Sequence, residues 1–107
     1  MGNALSSLQD QYFFLTTNLD AMLDACQTQA QKDAIVAAYV DSRRHYWDCI
    51  NQIFHDDDPN VVAAVNQMAA AKQTLEQSLQ HLNDIAKVMN AVATAVKIGG
   101  ELAALAG

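Results

Sequence analysis

The stretch Pro59 to Ile98, PNVVAAVNQMAAAKQTLEQSLQHLNDIAKVMNAVATAVKI, decides how this chain is read. Three aspartates, Asp56, Asp57 and Asp58, stand before it. Asp58 can accept from the free N–H groups of a first helical turn, and a Pro at the first helical position loses nothing by lacking an N–H. Behind that start, Val61, Val65, Met68, Lys72, Leu75, Leu79, Leu82, Ala86, Met89, Ala93 and Val96 recur in steps of four and three. Such spacing predicts one long helix over 59–98 with coiled-coil-like packing. Lys72 interrupts the seam; its stem can pass over apolar neighbours while the ammonium stays in water.

Two shorter helices are expected ahead of it. Ser6-Ser7-Leu8-Gln9 has the capping-box form, and Leu8, Tyr12, Leu15, Leu19, Met22 and Cys26 follow at seam spacing, which predicts a helix over 7–26. Phe13 and Phe14 widen its apolar face. Thr28-Gln29-Ala30-Gln31 is a second capping box and opens a helix over 29–55. There Ile35, Tyr39, Ser42, Tyr46, Cys49 and Ile53 form one line, and Val36, Val40, Arg43, Trp47, Ile50 and Phe54 a parallel one, so a broad buried face is expected. The expected fold is all-α: a single domain over 1–107, built as a three-helix antiparallel bundle, a helical hairpin plus a longer C-terminal helix.

Length then singles out the C-terminal segment. At about 1.5 Å per residue, helices of these lengths cover the third only to about residue 86, leaving roughly a third of it unpartnered. From Ile85 onward a single polar line remains, Lys87, Asn90, Thr94, Lys97 and Glu101, and the rest of the circumference is apolar. A helix of that kind needs partners on most of its surface. Ala91, Ala95, Gly99, Ala103 and Gly107 recur every fourth residue, a spacing that lets helix backbones approach closely. Lys97 and Glu101 oppose a lone transmembrane span, since a central charge costs about 2.5–3.5 kcal/mol and each Val, Ile or Leu returns about 0.3–0.6.

Charge and composition narrow the partners. Residues 1–60 hold nine acids against three bases, a net of −6, while residues 61–107 balance at zero. No basic face is available to displace counterions from phosphates, so nucleic acid is not an expected partner. No basic and apolar leader opens the chain, which points to a cytoplasmic protein or one exported without a cleaved signal. Met1-Gly2-Asn3-Ala4-Leu5-Ser6 fits the myristoylation pattern.

Signs of chemistry are weak. Asp41, His45 and Asp48 share a helix face, and His55 adjoins the aspartates, but solvated acidic surface accounts for both patterns. Cys26 and Cys49 fall about 30 Å apart in a helical hairpin, too far for a disulfide. No nucleophile set, phosphate loop or Glu-x-x-His pair is present, so no catalytic, metal or cofactor site and no small-molecule substrate are expected. Arg43-Arg44-His45-Tyr46-Trp47 is the one basic and aromatic cluster; its composition suits a partner-binding hot spot, but Tyr46 and Trp47 are expected to be core anchors and the arginines to pair with nearby aspartates. Small helical hairpins of secretion systems are similar in size and composition, but the Trp-x-Gly turn of one such class is absent.

The expected function is therefore a non-enzymatic interaction or self-assembly protein, a homo-oligomer or the partner of another helical protein. Its expected contact residues are Val88, Ala91, Val92, Ala95, Val96, Ile98, Gly99, Leu102 and Leu105. The alternative is a membrane-active or pore-forming protein whose C-terminal segment inserts as an oligomer.

Overall fold

Helices account for nearly all of the chain: α1 (Asn3–Ala25), α2 (Gln29–Cys49), α3 (Pro59–Ser78) and α4 (Ile85–Ala103), with a 3-10 turn at Leu79–His81 between the last two. The structure, a computed structural model, describes residues 3–106, so the acylation pattern at Gly2 and the last small residue of the four-residue line, Gly107, lie outside the described residues.

The all-α class agrees with the sequence, and the three-helix arrangement does not. Where one helix is expected over 59–98, two form, folded back on each other. Leu79 to His81 tighten into the 3-10 turn, Leu82 to Asp84 leave the helix, and the Asp84 carboxylate accepts from the Lys87 N–H at 3.3 Å to start α4. Magnitudes explain the break. A straight helix would hold Ile85, Val88, Val92, Val96 and Leu102 against water, and burying each is worth about 1.5–3 kcal/mol. Interrupting one helical turn forfeits only a few hydrogen bonds, each worth about 1 kcal/mol net.

Folding back makes α4 the central helix. It packs against α1, α2 and α3, while α2 and α3 lie on different sides of it. The wide apolar arc is thereby covered within the chain, and no overhang remains. The break also resets the helical phase. Beyond it the buried line is Ile85, Val88, Ala91, Val92, Ala95, Val96, Gly99 and Leu102, whereas Ala86 and Ala93 of the expected seam face solvent.

Other boundaries move for local reasons. The helix expected to start at Ser7 starts by Asn3. Ser7 is already inside it, its hydroxyl donating to the Asn3 carbonyl at 2.8 Å. The free Ala4 N–H donates instead to the Asp56 carboxylate at 3.0 Å, a cap from 52 residues away. The helix expected to reach 55 ends at Cys49, and the segment to Asp58 forms the connection to α3. Two start signals hold as read. Thr28 and Gln31 form the reciprocal capping box, and Asp58 accepts from the Asn60 N–H at 2.7 Å ahead of Pro59.

Two apolar clusters fill the interior. Leu15, Met22, Ile35, Leu75, Ile85, Val88, Val92 and Val96 make one; Ala4, Leu8, Tyr46, Cys49, Val61, Met68 and Leu102 make the other. Both cysteines are free, Cys26 against the first cluster and Cys49 within the second.

Candidate interaction surface

The two apolar lines of α2 part company. Ile35, Ser42, Tyr46 and Cys49 are buried, because α1 and α4 are the neighbours that pack on this helix and both lie on that side. The parallel line turns outward: Val36 and Val40 are each 41% exposed, Trp47 52% and Ile50 38%, with Arg43 among them in solvent. Just past the helix end Ile53 is 66% exposed, and Phe54, the last member of the line, folds inward against the second cluster.

Aromatic contacts extend this strip onto α1. Tyr46 bridges the outer residues, its ring centroid 5.9 Å from that of Trp47 and 6.4 Å from that of Phe13, itself 52% exposed. Tyr12 stands behind them, 5.5 Å from Phe13, 5.8 Å from Tyr39 and 6.1 Å from Tyr46. Tyr39 pushes the Tyr12 phenol above its ordinary pKa, and Thr16 with Tyr12 holds the Tyr39 phenol below its own. The Gln9 amide donates to the Tyr46 hydroxyl at 3.1 Å, fixing the bridging ring. The result is an apolar and aromatic strip with one cation in it, the composition that dominates binding hot spots.

The residues expected to make contacts lie elsewhere. Val88, Ala91, Val92, Ala95, Val96, Gly99 and Leu102 are buried among α1, α2 and α3; Ile98 is half-buried; Leu105 is 38% exposed. The small-residue line does let a neighbour approach closely, and that neighbour belongs to the same chain. Gln11, a buried polar residue that the seam pattern passes over, donates from Nε2 to the Ala95 carbonyl at 2.7 Å and rests against Gly99.

The candidate chemical groups do not converge. Arg44 pairs with Asp41 at 3.8 Å on the surface, whereas His45 turns toward α4 and its ring packs on Gly100. Its Nδ1 is buried with no partner among the described residues, and burial pushes the imidazole below its ordinary pKa. Among the described residues no group of three or more His, Cys, Asp or Glu side chains is placed to hold a metal ion. Lys72 leaves the seam as its length allows, its ammonium 5.6 Å from the Phe14 ring centroid across the furrow between α1 and α3.

Sequence reasoning found both α2 lines and the Arg43, Tyr46 and Trp47 cluster, and assigned both lines to the core. The signal that separates them is the number of neighbours α2 has, which is a property of the whole fold. Compared with protein-family models, with curated proteins and with solved structures, the chain matches none of them.

Proposed function

We propose that this chain is a non-enzymatic helical interaction protein that receives an α-helix along the outer face of α2. The observation that carries this reading is the exposed strip Val36, Val40, Arg43, Trp47 and Ile50, spaced in steps of four and three on a surface that none of the described residues covers. That spacing is the one by which two helices interlock in coiled-coil fashion. Burying a Trp and three branched aliphatic side chains is worth several kcal/mol, enough for reversible association. We place the surface here rather than on residues 85–105, because Val88, Val92, Val96 and Leu102 are committed to neighbours inside the chain.

A membrane-active role through the C-terminal segment would require α4 to leave all three neighbours. Among the described residues no helix is long and apolar enough to cross a membrane. Dye release from anionic liposomes by the full chain would favour that role over the one proposed.

The test replaces Trp47, the chain's single Trp, with a photo-crosslinking phenylalanine analogue, and compares it with the same analogue at Gln77 on exposed α3. Adducts specific to position 47 that vanish when Val40→Glu is added are the expected result. Equal labelling at both positions would overturn the reading.

A further inference from the structure

We propose that the helix received on this face is α2 of a second copy of the same chain, running antiparallel across a two-fold axis near residue 45. The inference rests on the α2 reading above and adds the occupant.

Self-complementarity of the strip supports it. From Val40 to Ile50 its spacing, three, four, three, reads the same in reverse about residue 45. Laid antiparallel so that paired residue numbers add to about 90, Val40 meets Ile50 of the second copy and Arg43 meets its Trp47. Val36 meets the region of its Ile53, and each pairing occurs twice by symmetry. In this one register Val40 and Ile50 find apolar counterparts and Trp47 a cationic one, Arg43, while Ile53 extends the surface past the helix end.

Charge selects the direction. A parallel, in-register pair would stack Arg43 on its own copy within an apolar seam, where like charges repel without water to screen them. The antiparallel register lays each Arg43 guanidinium against the indole of Trp47 instead, an attractive arrangement. Arg44 approaches its own copy at the edge of the strip, but Asp41 on the same helix already pairs with it at 3.8 Å. Phe13, carried beside Tyr46, widens each copy's surface along one edge.

Size sets the expected strength. The strip from Val36 to Ile50 is about 21 Å long and one helix wide. That falls short of the ~800 Å² per partner typical of tight complexes. The pair is therefore a dissociable one.

Sedimentation of the full chain from about 1 μM to 1 mM tests the pairing. The expected result is a reversible monomer–dimer equilibrium that Trp47→Glu weakens at least about tenfold while leaving the circular dichroism unchanged. Register is read by cross-linking. In the Val40→Cys, Ile50→Cys variant an intermolecular 40–50 disulfide forms, since the two positions lie about 15 Å apart within one helix and cannot bridge in the same copy. Val40→Cys alone gives no 40–40 bridge. A chain monomeric throughout, a dimer indifferent to Trp47→Glu, or a 40–40 bridge would overturn the proposal. If a monomeric chain still yields position-47 adducts with another protein, the self-partner fails and the interaction reading stands; if it yields none, both fail.

Discussion

Gln11 lies so close to Gly99 that a Cβ at position 99 would stand 2.5 Å from the Gln11 Oε1, while the other end of the same amide donates to Ala95. Helix α1 therefore meets the central helix through a buried polar side chain seated on a residue without one. Gly99→Ala should destabilise the chain by about 1–2 kcal/mol, as overpacking does, because Gln11 cannot withdraw without losing its bond to Ala95. In a Gln11→Ala background the space is free, and the same change should stabilise by about 0.5–1 kcal/mol through helix propensity. Urea unfolding of the four variants reads the sign change; equal effects in both backgrounds would show that the two residues are not coupled.

Asp84 starts the helix that no Gly or Pro announces. Asp84→Ala should cost about 1 kcal/mol, as loss of an N-cap does, and Asp58→Ala a similar amount at α3. Denaturant midpoints check both.

Position 92 separates the interior from the surface. Val92 is 2% exposed in the centre of the first cluster, so Val92→Asp places an unpaired carboxylate in the core and should cost more than about 3 kcal/mol. Trp47→Glu should leave the unfolding midpoint within about 0.5 kcal/mol, as exposed substitutions do. A cooperatively folded Val92→Asp chain of wild-type stability would contradict the central placement of α4.

His45 gives the fold a pH dependence with a definite sign. Burial lowers its folded pKa, with Arg44 acting the same way and Asp41 and Asp48 opposing; Lys97 lines the same furrow from α4. The unfolded chain then binds the proton more readily. This contribution to stability is complete above the ordinary His pKa of about 6.5 and is lost as the pH falls from there through the folded value. Stability measured from pH 8 to pH 5 should decline below about 6.5, and His45→Gln should remove that part of the slope.

The two thiols should differ in reactivity. Cys49 is 4% exposed, its Sγ lies 3.8 Å from the Ala103 carbonyl, and burial raises its pKa, with the Asp48 charge adding to the effect. A thiol reagent should modify half-buried Cys26 first and reach Cys49 only as fast as the chain opens. Equal rates under native conditions would show that the end of α2 is frayed.

Local signals were legible in the residues. The capping box at Thr28 and Gln31, the Asp58-Pro59 start and the inward lines Leu8, Leu15, Met22 and Ile35, Ser42, Tyr46, Cys49 are all visible in the spacing, because a cap or a helix face involves residues within a few positions of one another. The first capping box was misleading for the same reason. Ser7 has the right local pattern, but Asp56, distant in sequence, supplies the bond at the start of α1.

What the sequence by itself determined is that the chain forms helices, where two of them begin, and that the segment from Ile85 onward must be covered. Only the tertiary structure decided what covers it. The hydrophobic effect is non-directional and accepts any apolar partner, so the same seam suits one long helix held by another molecule or two helices folded on each other. Breaking one turn at Leu79 to Asp84 cost less than leaving Val88, Val92 and Leu102 in water. Once α4 took the centre, α2 had neighbours on one side only, and the line from Val36 to Ile50 was left outside.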